Sequence, residues 1–326
     1  MTATQPSARA IPSVALCVET ASAWGRRIVS GILEYARDHG HWHVHIEPQT
    51  SEDTFTPPEG VRLDGIIARV GTAAQARALA ATGLPVVNVS SIRLEGGPVF
   101  PRVIGSLEAT SRLAAEHFRS RGFVHFGYVG NPAQDYVQTQ FHAFERALKE
   151  RGFPCAFFNQ LDRHAELVAW LRALPKPAAL LCWGPSVGRR VIDACLFADI
   201  SVPHDVAVLG SDYDELLSEA SHPPQSGVRF AGEQIGGMAA SILADMMRGQ
   251  KPARMLVEVE PLGVIEKLST DTLAVPDRRM ADVIRHILDH AHEPISVDDV
   301  VKANPMARRG STARGCCWRR GTTRSR

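Results

Sequence analysis

Along the first 270 residues, short apolar runs alternate with longer stretches whose apolar positions recur at helical spacing. The runs V-A-L-C-V (14–18), W-H-V-H-I (42–46), D-G-I-I-A-R-V (64–70) and P-V-V-N-V (85–89) read as strands. Between them, R-R-I-V-S-G-I-L-E-Y-A-R (26–37) and A-A-Q-A-R-A-L-A-A-T (73–82) read as helices. A loop rich in Gly and Pro (96–101) precedes a helix that ends at Gly122, a residue suited to the left-handed backbone of a helix C-terminus. A second set then repeats the rhythm, with strands near 124–130, 154–159, 178–183 and 205–210 and helices over 141–152, 165–174, 189–198 and 235–249. This alternation predicts an α/β fold of parallel sheets covered on both faces by helices, in two similar lobes. The first lobe is expected to take 12–122 and 229–250, and the second 123–228 and 251–271, with residues 1–11 as a disordered N-terminus. Strand C-termini and helix N-termini of both lobes converge on the cleft between them, which suits a small ligand.

Past residue 271 the pattern changes. Val283, Ile284, Ile287 and Leu288 mark a helix, and Ser296 with Asp299 caps another, so 277–302 reads as the start of an all-helical domain. From Ala303 to Arg326 there are seven arginines, no acid and adjacent cysteines, and apolar residues recur at neither helical nor strand spacing. This segment is expected to be a disordered tail that attracts phosphate without reading base sequence. Its abrupt Arg, Gly, Cys, Trp and Thr content is what a shifted reading frame in G+C-rich DNA would produce.

Composition narrows the classes. The 326 residues are 44% hydrophobic and 22% charged with a net charge of +1, which describes a globular chain with room for two domains. The N-terminus has no charged region leading into an apolar one, and no apolar run approaches membrane-spanning length, so a cytoplasmic protein without membrane contact is expected. The six cysteines show neither CxxC nor Cys/His ligand spacing and read as reduced thiols, and no cofactor motif of the G-x-G-x-x-G or phosphate-loop type occurs. His39, His41, His43 and His45 read as solvent-facing positions along a strand edge, not as metal ligands. One catalytic pattern is present: Gly184-Pro185-Ser186-Val187-Gly188 is G-x-S-x-G between a strand and a helix. Its possible partners, Asp212 or Asp214 and His222, follow too closely to leave room for the intervening elements of a hydrolase. No oxyanion loop precedes it, so Ser186 reads as a helix cap or cleft hydroxyl, and the chain as a non-enzyme.

Several segments together resemble the xylose-operon type of AraC transcriptional regulator. They are E-T-A-S-A-W-G-R (19–26), S-G-I-L-E-Y-A-R (30–37), L-D-G-I-I-A-R (63–69), L-P-V-V-N-V-S (84–90), residues 112–130, I-S-V-P-H-D-V-A-V-L-G-S-D-Y-D-E-L-L (200–217), P-L-G-V-I-E-K-L-S-T-D (261–271) and H-A-H-E-P-I-S-V-D-D-V (290–300). The resemblance implies a sugar-sensing domain shaped like the lac repressor core and the periplasmic sugar-binding proteins, followed by paired helix-turn-helix motifs. DNA, a small sugar-like effector and a second copy of the chain are the implied partners. It places Trp24, Arg26, Arg69, Asp212 and the residue at 140 at the ligand. At 140 the family's sugar-gripping arginine is replaced by Gln140, and Pro185 and Ser106 stand where it carries acids; Asp212 keeps the familiar carboxylate. At the DNA-binding end, Met306-Ala307-Arg308-Arg309 matches the opening of a recognition helix, which makes Arg308 and Arg309 the candidate DNA contacts. The apolar face such a helix needs is not supplied by 310–315. The expected function is a ligand-responsive transcriptional regulator with an incomplete DNA-binding part; the competing reading is a sugar-binding module that touches no operator.

Overall fold

The computed structural model describes residues 11–46, 61–275, 278–290, 292 and 294–303. Two six-stranded sheets share one topology. The first runs in the order β2 (His43–Ile46), β1 (Ser13–Cys17), β3 (Gly65–Ala68), β4 (Val86–Asn88), β5 (Arg102–Gly105), β11 (Leu256–Val259). The second runs β7 (Cys155–Phe158), β6 (His125–Val129), β8 (Ala178–Cys182), β9 (Val206–Gly210), β10 (Ser226–Val228), β12 (Val264–Ile265). All pairings are parallel except β12 against β10. Strands β1, β8 and β9 are buried along their full length, which is why they read as unbroken apolar runs instead of alternating ones.

The helices are α1 (Ala23–Tyr35), α2 (Ala73–Ala81), α3 (Leu107–Ser120), α4 (Asp135–Lys149), α5 (His164–Ala173), α6 (Gly184–Phe197), α7 (Glu215–Glu219), α8 (Gly232–Met247), α9 (Arg278–Asp289) and α10 (Val297–Ala303). The closest helix pair is α1 on α8. A Cβ added at Gly31 would lie 2.0 Å from the Glu233 carbonyl oxygen, and one at Gly236 would lie 2.0 Å from that of Ile28, so the backbones meet through glycine. Ser296 and Asp299 cap α10 as expected: Ser296 N–H donates to Asp299 Oδ2 at 3.0 Å and Asp299 N–H to Ser296 Oγ at 3.3 Å.

The expected division between the lobes is wrong in two places. Helix α3, assigned to the first lobe, packs Ala114, Ala115 and Phe118 into the second, against Phe144 of α4 and Phe123 and Phe126. Strand β11, assigned to the second lobe, pairs with β5 in the first sheet, in register from Leu256 opposite Arg102 to Val259 opposite Gly105. The chain therefore crosses between lobes near Ser106, at 229–231 and at 260–263, and the crossings bond to one another: Ser106 N–H to Val259 O (2.8 Å), Arg229 N–H to Gly263 O (2.8 Å) and Leu262 N–H to Arg229 O (2.8 Å). A parallel edge partner for β5 can come only from a later strand, and 256–259 is too short and too exposed to announce itself.

The second lobe is fastened by a buried polar chain at the end of α3. Arg121 donates to His117 Nδ1 (3.1 Å), whose Nε2 bonds Thr270 Oγ1 (3.1 Å), which donates to Ser226 Oγ (2.7 Å), which in turn donates to Lys267 O (2.9 Å). With Nδ1 accepting from a guanidinium, the ring is the neutral Nε2–H tautomer. Burial, reinforced by the Arg121 charge, pushes the His117 pKa down to about 4.

Candidate functional site

In each sheet the strand order reverses beside the first strand, at β1/β3 and at β6/β8, and those C-terminal edges are where open α/β sheets hold ligands. The two lobes place equivalent residues there. Arg69 follows β3 and its N–H donates to Cys17 O at 2.9 Å; Trp183 follows β8 and its N–H donates to Val129 O at 2.8 Å. Trp24 is the second residue of α1, and Tyr136 the second of α4. Within the first lobe the Arg69 guanidinium stands 5.7 Å from the Trp24 ring centroid, and within the second the Tyr136 and Trp183 rings lie 4.8 Å apart. Each lobe thus presents one pair at the C-terminal edge of its sheet, built from the same two topological positions.

Charges link the pairs. Arg69 Nη1 lies 3.6 Å from Glu19 Oε2, and Glu19 accepts from Ser22 Oγ (2.8 Å), the cap of α1. Burial raises the Tyr136 phenol pKa, and the charges acting on it include Arg69 and Glu19 of the opposite lobe. Phe230, in the second crossing, sits 6.1 Å from Trp24, ring to ring, and packs over Gly105. Two carboxylates tie the lobes through backbone donors. Asp214 caps α7 through Leu217 N–H (3.1 Å) and accepts from Ala23 N–H at the start of α1 (3.4 Å); Asp135 accepts from Arg93 N–H (3.3 Å).

Asp212 stands two residues past β9, its Oδ1 accepting from Tyr213 N–H at 2.8 Å. Burial pushes its pKa up to about 7, against the opposing pull of that N–H and of the Arg27 charge. Ala23, Arg26, Arg27 and Ser30 of α1, Asp214, Glu215 and Leu216 at α7 and Glu233 of α8 line a recess of about 310 Å³.

Residues 115–270 match the periplasmic binding protein-like domain family. The xylose operon regulatory protein of Escherichia coli K12 is 26% identical over 312 residues, covering 90% of this chain and 79% of that protein. That of Haemophilus influenzae is 24% identical over 302 residues, 88% and 78% of the two chains. The solved structure of the xylose-binding transcription activator xylR superposes with a TM-score of 0.71 at 23% identity, over 92% of this chain and 80% of that one. This chain is a homologue of the xylose operon regulatory proteins. Its fold is the two-sheet fold of those regulators, and the homologues are transcription regulators, not enzymes.

Set against this homologue's cleft, the expected ligand residues divide. Trp24 and Arg69 come together as described. Arg26 is exposed and donates to Thr20 O (3.0 Å) and Ala21 O (2.9 Å), so it fastens the loop before α1 while lining the recess. Gln140 is a correction: it is 1% exposed, turned into the second lobe, where it accepts from Tyr128 OH at 3.0 Å while its carbonyl accepts from Ser111 Oγ at 3.1 Å. A neutral amide suits that interior position, between α3 and β6, better than a charge. Ser106 caps α3 through Ala109 N–H (3.3 Å), and Pro185 is the second residue of α6. Of the two expectations for Ser186, the cap is corrected: Trp183 holds the cap position, and Ser186 is the third residue of α6, with an exposed side chain. Among the described residues no hydrogen bond joins it to Asp212, Asp214 or His222.

Of the four histidines only His43 and His45 lie on β2, where His45 Nε2 bonds Ser13 Oγ at 2.8 Å; His39 stacks on Tyr35 at the end of α1. Cys17, Cys155, Cys182 and Cys195 are free thiols, and burial pushes those of Cys155 and Cys195 up to about 12. Arg308 and Arg309 lie outside the described residues. Glu19, Tyr136, Trp183 and Phe230 escaped the sequence reading, although the repeated rhythm of the halves carried a signal for two of them: Tyr136 and Trp183 occupy the second-lobe counterparts of Trp24 and Arg69.

Proposed function

We propose that this chain senses a small sugar-like effector in the cleft between its lobes and regulates transcription in response. The observation that carries the reading is the matched pair of cleft edges, Trp24 with Arg69 and Tyr136 with Trp183. Flat aromatic faces pack against the apolar faces of sugar rings, while Arg69, Glu19 and Asp212 supply a few placed polar groups, as a ligand site requires. Trp24, Arg69 and Asp212 are ligand contacts in this reading, and Arg26 holds the loop that positions Trp24. The xylose operon regulators among its homologues support a pentose as the first effector to test. The domain beginning at 277–302 is an AraC-type helix-turn-helix domain, the working form is a homodimer, and the compartment is the cytoplasm. Thermal-shift measurement with D-xylose, L-arabinose, D-ribose, D-glucose and D-galactose tests the effector class: at least one should raise the melting midpoint of the parent, and Trp24→Ala or Trp183→Ala should remove the rise. Gel-shift titration against upstream DNA at two salt concentrations separates sequence-selective binding from phosphate attraction and from no binding at all. The last result would favour a sugar-binding module without an operator.

A further inference from the structure

The G-P-S-V-G pattern at 184–188 opens α6, a helix of 14 residues. The N–H groups of a first turn have no helical acceptor, and a capping side chain or a nearby acid normally answers them. Side chains cap α1, α2, α3 and α7, and α4, α5 and α8 carry an acid in the first turn. Helix α6 has neither: Trp183 makes no cap bond, and no acid stands in its first turn. Gly184 N–H donates to Ser211 Oγ (2.9 Å), Pro185 has no N–H, and Ser186 N–H has no hydrogen-bond partner among the described residues.

An independent observation falls at the same turn. Gln225, just before β10, is 2% exposed, yet neither its Nε2 nor its Oε1 has a hydrogen-bond partner among the described residues. Its amide reaches the first turn of α6: a Cβ at Gly188 would come within 1.9 Å of Nε2, and one at Gly210, the last residue of β9, within 2.9 Å. The Cβ at Gly210 would also lie 3.7 Å from the Gly184 carbonyl carbon. An amide removed from water without partners is costly, and native structures rarely leave one so. No atom lies within 4 Å of a Cβ placed at Gly184, which leaves room for a ligand beside the turn.

These groups are donors with no acid among them. A helix N-terminus draws negative charge through its dipole and its idle N–H. The exposed Ser186 hydroxyl, the Ser211 hydroxyl, whose own proton is not used in accepting from Gly184, and Gln225 Nε2 add three more donors. Pro185 stands where the resemblance places an acid, so that repelling charge is gone. Asp212, two residues past Gly210, has its pKa pushed up to about 7 by burial and does not hold a full charge at neutral pH. A carboxylate or phosphate is acceptor-only and matches such a set, whereas a neutral hydroxyl gains nothing from the dipole.

We propose that the N-terminal turn of α6 seats an oxyanion of the effector, the carboxylate of a sugar acid or the phosphate of a sugar phosphate, with Ser186, Ser211 and Gln225 as its side-chain donors. The assignment rests on the sugar-sensor reading above and names the chemical class of the effector.

The test is thermal-shift titration of the parent, Ser186→Asp and Gln225→Met at constant ionic strength. The probes are D-xylose with D-xylonate, D-ribose with D-ribose 5-phosphate, D-glucose with D-glucuronate and D-glucose 6-phosphate, and inorganic phosphate alone. In the parent at least one sugar anion should act at roughly tenfold lower concentration than its neutral counterpart, the effect expected for hydrogen bonds to a charged group. Which anion does so separates carboxylate from phosphate. Ser186→Asp adds an acid that suits the helix but repels the ligand, so it should keep the unliganded midpoint and lose the preference. Gln225→Met keeps the side-chain volume without the amide and should lose most of it. A preference for the anion that survives either variant would overturn the assignment. So would a neutral sugar that matches every anion, an outcome that leaves the sugar-sensor reading standing. Inorganic phosphate that stabilises as well as any sugar anion would also overturn it, as an adventitious ion only. If no sugar, neutral or charged, stabilises the parent, the sensor reading and this assignment fall together. Should Gln225→Met fail to fold, seen as loss of the parent's circular dichroism, Ser186→Asp at its exposed position decides alone.

Discussion

Replacing Asp212 by Asn isolates the free energy of keeping a carboxyl two residues past the end of β9. In the folded protein its pKa lies at about 7, against an ordinary value of 3.8, chiefly because burial penalises the charged form. A group whose folded-state pKa is raised binds its proton more tightly when folded. Its contribution is therefore fully present below about pH 4 and is lost as pH rises through 7. At about 1.4 kcal/mol per unit, the gap amounts to about 4 kcal/mol. Asn is a permanent analogue of the neutral acid and keeps an oxygen for the Tyr213 N–H. Asp212→Asn should therefore match the parent near pH 4 and exceed it by about 4 kcal/mol at pH 8. Urea unfolding of both proteins at half-unit pH intervals, followed by tryptophan fluorescence, measures the difference directly. A difference that stays flat between pH 4 and pH 8 would refute the claim that burial raises the Asp212 pKa.

His117→Gln should remove a contribution that rises by about 3 kcal/mol between pH 4 and 6.5, for a pKa held near 4, so that the variant loses stability with rising pH over that range in the same unfolding series. Gln140→Arg should lower the melting midpoint by several degrees, since it removes the partner of Tyr128 OH and places a charge where 1% is exposed, at a cost of about 3 kcal/mol or more. It should not improve sugar affinity in the same thermal-shift assay. Gly236→Ala should destabilise by about 1–3 kcal/mol in urea, because its Cβ would meet backbone atoms of Ile28 and Ile32 and force α1 away from α8.

The α/β class and the two-lobed plan were legible because buried parallel strands are continuous apolar runs and their covering helices are amphipathic; β1, β3, β8 and β9 all fall within a few residues of the expected positions. What escaped has a common cause. Strands β5, β10, β11 and β12 have two to four residues each, too short for a period to register, and their pairing is set by the crossings between lobes instead of by local pattern. Helix α6 begins five residues earlier than expected because G-P-S-V-G reads as a turn, whereas Pro185 is tolerated in a first turn, where its missing N–H has no helical partner to lose. Gln140 shows the limit of carrying a role over by position alone. Position 140 is where a ligand-gripping arginine is expected, but the amide finds Tyr128 inside the lobe, and which way a helical side chain turns depends on neighbours 12 and 29 residues distant in the chain. The inter-lobe ties were beyond reach for another reason: Asp214 and Asp135 bond backbone N–H groups, so no complementary side chain marks their partners.

The two strongly shifted titrating groups act against each other, and that opposition governs how the pH experiments must be read. Between pH 4 and 6.5 His117 binds more protons in the unfolded chain than in the fold, so its contribution rises with pH. Over the same interval Asp212 binds more protons in the fold, so its contribution falls. Both effects are of similar size, about 3 and about 4 kcal/mol, and the parent should show a nearly level stability across this range despite two strongly perturbed groups. The separate variants break the balance in opposite directions: His117→Gln leaves the falling Asp212 curve exposed, and Asp212→Asn leaves the rising His117 curve. The double variant should be level again, because the two groups sit in different parts of the molecule, His117 in the α3 to Thr270 polar chain and Asp212 past the end of β9 against the Tyr213 N–H, and distant sites add. A double variant that tilts with pH between 4 and 7 would mean that a third titrating group controls the stability of the lobes.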